Sequence, residues 1–282
     1  MLQIAALLVS AALAALLVAT AAGGAAVLTG AAAVPTPPRT DRQGMLWRVA
    51  SVARYAGLAA VLAALATRAA GVGHAPWSNL YEVSQAFAAA ILLAYIVVRR
   101  SFPVDALAPA VSGLAALLLV HAVSLPSDAL PLVPALQQPA LLTVHVAAAV
   151  AAYGIYGVAL VAALAELVQR GRRAVRWLPD TAVCRAVAHR SVVLGYPILT
   201  AAIVLGAIWA NLAWRSYWNN DPKELTAAAT WLTYGAYLHV AGRRDRWGRT
   251  APWLIVAGFA GIMLTYFGAN LLFPGQHSYA GI

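Results

Sequence analysis

The stretch ALLTVHVAAAVAAYGIYGVALVAALAELV, residues 140–168, decides the fold class. Its only ionisable side chains apart from the tyrosines are His145 and Glu166. A helix of roughly 20 apolar residues crosses a bilayer core about 30 Å thick. This run is longer than that, so it has room to tilt or to project from the membrane. The sequence therefore predicts a transmembrane helix here.

Seven further stretches have the same apolar character. Helices are the default, because unpaired backbone groups are not tolerated in lipid, and strands of a barrel would show short alternating segments. We therefore predict an all-α integral membrane protein with about eight transmembrane helices, over residues 3–32, 47–68, 82–98, 106–124, 140–168, 191–211, 226–241 and 252–272.

The composition supports this class. Of the 282 residues, 62% are hydrophobic and 10% are charged, whereas soluble domains have about a quarter of their residues charged. The first 34 residues carry no Lys or Arg, so they are interpreted as a true first span rather than a signal peptide. Residues 33–44 are interpreted as a short Pro-rich linker. The single Cys184 excludes an internal disulfide, a CxxC redox pair and a CxxCH haem-attachment motif in this chain.

The basic residues predict the topology. Sixteen of the nineteen cations fall on alternate connections, which leaves only Arg68, Arg215 and Lys223 on the other side. The positive-inside rule makes those sixteen cytoplasmic and both termini external. The net charge of +10 is then explained by topology and anionic lipid, and nucleic acid is not needed.

A second stretch, WANLAWRSYWNNDPKE at residues 209–224, concentrates indole rings and charge on the predicted outer face. It carries Trp209, Trp214, Trp218 and Asp221. His145 lies near the outer end of the fifth span, and a further histidine, His277, follows the eighth. Two imidazoles beside a shelf of indoles suit a flat aromatic ligand with a central metal, and haem fits this description. The alternative is that the tryptophans only anchor the interface.

His239 lies elsewhere, about 20 Å deeper along the seventh span at 1.5 Å per residue. An ionisable residue within a span is costly and is a functional candidate. One inner and two outer histidines suggest two stations, that is, two binding sites for the same transported ligand.

The chain resembles the CcsA/ResC-type cytochrome c biogenesis proteins, within the superfamily of haem-handling proteins with a tryptophan-rich "WWD" domain. The matching segments cover most of the chain beyond residue 70, and they are GHAPWSNLYE, LVPALQQPALLTVHV, GAIWANLAWRSYWNNDPKELTAAATWLTYGAYLH and GRTAPWLIVAGFAGIMLTYFGANLLFPGQHSYA. The resemblance implies that His145 and His277 ligate haem iron at the outer site and that His239 ligates it at an inner site. It also makes Trp209, Trp214, Trp218 and Asp221 part of the signature. Asn79, Tyr81 and Glu82 match a segment with an expected structural role.

The sequence departs from the family pattern at three positions. The family usually reads close to WGSYWSWDPKETW, whereas this chain has Arg215 where glycine is common, Asn220 where tryptophan is expected and Thr226 where an aromatic residue often stands. Arg215 has the chemistry to stack on a porphyrin or to pair with a propionate. The departures bear on the pose of haem rather than on haem binding itself.

The resemblance implies the haem-handling subunit of a membrane cytochrome c synthase, which holds haem b for attachment to CxxCH motifs. The implied partners are a CcsB/ResB-type membrane protein, apocytochrome c and thiol-reducing pathway proteins. Two alternatives stay open, a CcmC-type haem exporter that presents haem without ligation and a b-type electron-transfer cytochrome.

The expected organisation has three regions. Residues 1–68 form N-terminal transmembrane helices, residues 69–139 add helices and the outer SNLYE loop, and residues 140–282 form a haem-handling core with the WWD loop at 209–226. The expected location is the energy-transducing membrane of a bacterium or plastid, with the active site on its outer face.

Overall fold

The apolar stretches form helices throughout the computed structural model, which describes residues 1–29, 41–129, 131–137, 139–171, 175–243, 246–268, 273 and 275–277. Within these residues there is no strand. The helices are α1 (Leu2–Thr29), α2 (Asp41–Val72), α3 (Leu80–Val98), α4 (Ala108–Val123), α5 (Pro139–Gln169), α6 (Thr181–Trp214), α7 (Pro222–Val240) and α8 (Arg246–Met263). A π-helical turn, Leu264–Gly268, continues α8, and short 3₁₀ turns cover Asp105–Leu107 and Pro134–Leu136.

The predicted all-α membrane fold is confirmed. Seven helices are long and apolar enough to cross a membrane, and α7 is the one described helix of comparable length that is not among them. Most of the predicted linker lies outside the described residues, but its last four residues are helical, because α2 already begins at Asp41. α6 is also longer than predicted, since it starts at Thr181 rather than near position 191.

Contacts at both ends establish that α5 and α6 are antiparallel. At one end, His145 at the start of α5 bonds to Ala202 in the second half of α6. At the other, Glu166 near the end of α5 bonds to Arg185 at the start of α6. We call the first the tryptophan end, because it carries residues 209–224, and the second the arginine end. The tryptophan end corresponds to the predicted outer face.

α3 and α5 pack closely in the centre. A Cβ atom on Gly154 would lie 2.5 Å from the carbonyl carbon of Ala90, so only glycine permits this approach. Small residues at helix contacts are typical of membrane proteins, because dispersion and close backbone approach drive the packing there.

A buried ion pair joins α2, α3 and the connection after α4 at the tryptophan end. Arg68 and Glu82 are 1% and 0% exposed, and Arg68 Nε donates to Glu82 Oε1 at 2.8 Å. Arg68 also donates to the carbonyls of Ser127 and Asp128 after α4. Asn79 accepts from the Glu82 amide as the N-cap of α3. The SNLYE segment therefore has structural contacts, as expected.

Arg54 is one of the sixteen cations that the sequence analysis assigned to the cytoplasmic connections, but its position differs from that expectation. It is 2% exposed, its Nε donates to Ser112 Oγ at 3.1 Å, and its guanidinium lies 5.4 Å from the ring centre of Tyr95. Because α2 starts at Asp41, Arg54 lies three to four turns inside the helix. It packs inside the bundle rather than at a lipid headgroup.

Candidate haem site at the tryptophan end

A cavity of about 220 Å³ opens at the tryptophan end among α3, α5, α6, α7 and the π-helical turn. His145, Trp209, Trp218 and His277 all line it, so the structure brings together four of the predicted site residues. Its remaining wall is mostly apolar and includes Trp77, Phe87, Tyr153 and Tyr266. The cavity combines an aromatic lining with two metal-binding side chains.

His145 is held by the backbone of α6. Its Nδ1 lies 2.8 Å from the Ala202 carbonyl oxygen. A carbonyl only accepts, so Nδ1 carries the hydrogen and Nε2 carries the lone pair of the neutral imidazole. Gly206 permits this position, since a Cβ there would come within 2.6 Å of His145 Cε1. The histidine is therefore fixed in the tautomer that binds metal through Nε2.

His277 is held in the same way by a carboxylate. Its Nδ1 donates to Asp221 Oδ1 at 2.8 Å, and the neighbouring Gln276 amide donates to Asp221 Oδ2 at 2.6 Å. A metal-binding histidine usually donates its second ring N–H to a carboxylate or a backbone carbonyl. Both histidines of the cavity follow this pattern, one with each kind of acceptor.

The tryptophans connect the two imidazoles. Trp209 is 1% exposed, and its ring lies parallel to His145 at 6.4 Å and tilted to His277 at 5.7 Å between centroids. Its Nε1 donates to the Ala135 carbonyl at 3.2 Å. Trp214 meets both Trp209 and His277 edge-on at 4.8 Å. The two imidazole centroids are at most 12.1 Å apart, the sum of their separations from Trp209.

Trp218 is the most accessible of the predicted indoles. It is 44% exposed, and its Nε1 donates to Asn220 Oδ1 at 2.8 Å. Asn220, which replaces an expected tryptophan, thus orients its neighbour at the mouth of the cavity.

Asp221 lies behind His277 rather than on the cavity wall. It is 5% exposed, caps α7, and completes a capping box in which Glu224 accepts from the Asp221 amide. Burial acts to raise its pKa, but the hydrogen bond and charge of His277 and two backbone N–H donors outweigh burial and lower it to about 2. Asp221 is therefore ionised at neutral pH and orients His277.

Lys223 lines the cavity beside these groups. Burial lowers its pKa to about 8, although the Asp221 carboxylate acts in the opposite direction. It is the only lysine in the sequence, and it loses its charge slightly above neutral pH.

Arg215 and Asn220 have left-handed backbone conformations, with φ of 61° and 55°. Asn tolerates this region, whereas a long side chain such as Arg adopts it at a cost. Arg215 is the residue that ends α6. The glycine that is common at this position in the resembling family matches this geometry, because glycine is the preferred residue at such helix ends.

Replacing Arg215 with glycine is expected to stabilise the protein by about 1 kcal/mol, because the left-handed penalty of a side chain disappears. Thermal unfolding of the purified protein measures this change. If the haem content of Arg215→Gly also stays at the wild-type level, Arg215 does not hold the ligand. A lower melting temperature would contradict the backbone explanation.

His239 is not part of this cavity. It is exposed on α7, seventeen residues beyond Pro222 and hence about 26 Å along the helix at 1.5 Å per residue. Within the described part of the chain it has no hydrogen-bond partner. His239, the predicted inner station, therefore stands apart from the cavity at the tryptophan end, on a surface open to lipid or to another protein.

The other histidines have ordinary contacts. His74 Nδ1 bonds to Ala75 O, and His121 packs edge-on against Phe267. His189 Nδ1 and the Tyr237 hydroxyl are hydrogen-bonded at 3.4 Å. His189 is exposed, and this contact places it beside α7.

Sequence reasoning missed several site residues. Gly206 and the Ala202 and Ala135 carbonyls have no local sequence signal, because a backbone acceptor looks the same at every position. Glu224 could have been found, since Asp221 followed three residues later by glutamate is a capping-box pattern.

Known proteins resemble this chain in sequence and in fold. The sequence profile of the family described as "Cytochrome C assembly protein" matches residues 77–277. A cytochrome c biogenesis protein CcsA of Parasynechococcus marenigrum is 34% identical over 274 residues, which are 83% of this chain and 89% of that protein. CcsA of Synechococcus sp. strain CC9311 is 34% identical over 279 residues, 83% of this chain and 91% of the relative.

One solved structure, titled "Cytochrome c Heme Lyase CcmF", matches with a TM-score of 0.67 at 19% identity. The match covers 94% of this chain and 46% of the lyase chain. At this identity the likeness shows the fold alone. The described chain therefore shares its helical arrangement with less than half of that larger protein.

Proposed function

Because the chain belongs to the cytochrome c assembly family, we propose that it is the haem-handling subunit of a membrane cytochrome c synthase. In this proposal the cavity at the tryptophan end holds haem b on the outer face of an energy-transducing membrane. The haem is a substrate, which is passed on to the CxxCH motif of an apocytochrome.

The observation that carries the proposal is the pair of Nδ1 hydrogen bonds. His145 donates to Ala202 and His277 donates to Asp221, so each is oriented to present Nε2 to a metal. Among the described residues no group of three or more His, Cys, Asp or Glu could hold a metal ion. Two histidines suffice for haem, because the porphyrin supplies the other four ligands to iron.

The donors fit haem, but the cavity must widen to admit it. Its volume of about 220 Å³ is smaller than the roughly 300–1,000 Å³ of typical small-molecule sites. The Trp209 ring lies 6.4 Å from the His145 ring and 5.7 Å from the His277 ring between centroids, so in this proposal Trp209 is the side chain that moves. Parallel and edge-on indoles then offer aromatic surface to the macrocycle.

The protein residues contribute orientation rather than covalent chemistry. His145 and His277 hold iron, and Asp221 and the Ala202 carbonyl fix the two imidazoles. When His145 and His277 both bind the haem iron, the histidine of the incoming CxxCH motif has to replace one of them. The two thiols of that motif add to the vinyl groups of haem. Reducing equivalents for those thiols come from other proteins, because Cys184 is the only cysteine.

The partner in this proposal is a CcsB/ResB-type membrane protein. His239 supports it, because an exposed imidazole on α7 leaves room for a second axial ligand from a neighbouring subunit. The inner station would then form at the interface, and haem would reach the outer cavity from there.

The test is thioether formation. The chain is co-expressed with its CcsB/ResB-type partner and an apocytochrome, and covalent product is detected by mass spectrometry. His145→Ala and His277→Ala are each expected to abolish the bis-histidine haem spectrum and the product, with partial rescue by imidazole. His74→Ala is the matched control, because His74 does not line the cavity.

Other outcomes would favour the other interpretations. Haem bound at the histidines but never attached would indicate an exporter. Reversible oxidation by a quinone with normal c-type cytochromes in the absence of the protein would indicate an electron-transfer cytochrome. An unchanged haem spectrum in both histidine variants would remove the outer site.

Replacing Gly206 with alanine is expected to weaken haem binding without unfolding the protein. The new methyl group would meet the His145 ring at 2.6 Å, which displaces Nε2 from the cavity. Haem titration of the purified complex should show a loss of about tenfold, within the range for altered support of a ligand. Ala207→Gly, the neighbouring change in the same lining, should bind like the wild type.

Haem binding is expected to depend on pH through Lys223. Its pKa of about 8 means that it is charged below that pH and neutral above it, and the cation favours the haem carboxylates. Affinity should therefore fall as the pH rises through about 8. Lys223→Arg keeps its charge at these pH values, so its haem affinity should not fall. If the wild type and Lys223→Arg gave the same dependence of haem affinity on pH, a role for Lys223 would be excluded.

A further inference from the structure

A second cavity, of about 360 Å³, lies at the arginine end. It forms where α5 and α7 end and where α6 and α8 begin. Arg170, Arg185, His189, Tyr237 and Pro252 contribute to its lining. It shares no lining residue with the cavity at the tryptophan end, so it is separate from the proposed haem site.

The charge of this cavity is positive. Glu166 is 2% exposed, and its Oε1 accepts from Arg170 Nη2 at 2.5 Å and from Arg185 Nε at 2.9 Å. One carboxylate shared by two guanidinium groups leaves a single net positive charge. The Arg185 side chain is 57% exposed, and a guanidinium has N–H donors besides Nε. The cavity therefore suits an anion with several acceptor oxygens, such as a phosphate.

One face of α6 leads from the cavity toward an exposed apolar residue, Val193. Arg185, His189 and Val193 are spaced four residues apart on α6, so they lie on one face of the helix. All three are exposed, and Val193 is 45% exposed. This face runs from a charged cavity at the helix end onto the apolar surface of a membrane span. A free phosphate would contact only the charged cavity and not the apolar part of this face.

We propose that this cavity binds the headgroup phosphate of an anionic phospholipid, whose acyl chains lie along the exposed face of α6. Basic pockets between transmembrane helices are suited to such headgroups. The bound lipid would join the ends of α5 and α6 to α7 and α8, because its headgroup contacts residues of both pairs. The site is independent of haem.

Lipid retention tests this proposal. The full chain is reconstituted in nanodiscs of phosphatidylcholine with a minority of phosphatidylglycerol, extracted in mild detergent and analysed by native mass spectrometry. Wild-type protein should retain phosphatidylglycerol preferentially. Arg185→Gln, which keeps a hydrogen-bond donor for Glu166, should lower that retention about fivefold, as expected for one cation near a lipid surface. Arg185→Lys should keep most of it.

Arg100→Gln is the matched control, since Arg100 is exposed near the same end but does not line the cavity. Equal retention by Arg185→Gln and wild type, or no preference for phosphatidylglycerol, would overturn the proposal. Displacement of the lipid by millimolar inorganic phosphate would show a site for a free anion instead. Thermal unfolding of each variant confirms that the fold is kept.

Discussion

Replacing Asp221 with asparagine is expected to lower haem affinity by about 10- to 100-fold, the usual cost of removing the partner of a metal-binding histidine. Asparagine has no negative charge to strengthen the hydrogen bond from His277 Nδ1. It has one side-chain oxygen in place of the two carboxylate oxygens that accept separately from His277 and Gln276. Asparagine caps helices as well as aspartate does, so the start of α7 is kept. Titration of haem into the purified complex measures the effect.

The matched control is Asp128→Asn, because the Asp128 side chain is exposed at the same end of the bundle and only its carbonyl bonds to Arg68. Wild-type affinity in Asp221→Asn would show that His277 does not need the carboxylate.

The free energy of unfolding is also expected to depend on pH through Asp221. Because the pKa of Asp221 falls from 3.8 to about 2 on folding, its stabilising contribution is complete above pH 3.8 and is lost as the pH falls through about 2.

Replacing Arg68 with methionine is expected to destabilise the protein by about 3–5 kcal/mol, the cost of leaving one partner of a buried pair uncompensated. Glu82 is 0% exposed and would remain in place without its guanidinium. The Ser127 and Asp128 carbonyls would lose their donor as well. Unfolding of the purified protein by heat or denaturant gives the free energy of unfolding.

A second ion pair provides the control. Arg99 and Asp105 are 30% and 48% exposed and 3.0 Å apart, so Arg99→Met should cost only about 0–1 kcal/mol. Adding Glu82→Gln to Arg68→Met should restore part of the loss, because the buried charge is then removed. Equal effects of Arg68→Met and Arg99→Met would contradict the importance of burial.

The sequence predicted the helices well and their ends less well. Apolar runs identify spans because lipid tolerates little else, but α2 and α6 extend beyond their apolar parts into charged segments. Hydropathy does not detect those turns. Arg54 shows the same problem, since a single buried arginine beside Tyr95 resembles a headgroup arginine until the neighbouring helices are placed.

The sequence analysis named side chains of the candidate site, but it did not find the backbone carbonyls and the glycine that hold some of them in place. His145, His277 and Trp209 stand out from an apolar chain, and they do lie together. Asp221, which orients His277, was named with them. The orientation of His145 and Trp209, however, depends on Ala202, Ala135 and Gly206, which are ordinary residues of such a chain. Packing alone gives these residues their roles, so only three-dimensional contacts reveal them.

The small cavity at the tryptophan end also bears on how fast a ligand enters. Trp209 is anchored to the Ala135 carbonyl, so admitting a macrocycle means breaking that bond and shifting the 3₁₀ turn Pro134–Leu136. Loading would then be gated by this motion rather than by diffusion. The indole would report it directly, as a change in tryptophan fluorescence that keeps pace with the appearance of the haem absorption band.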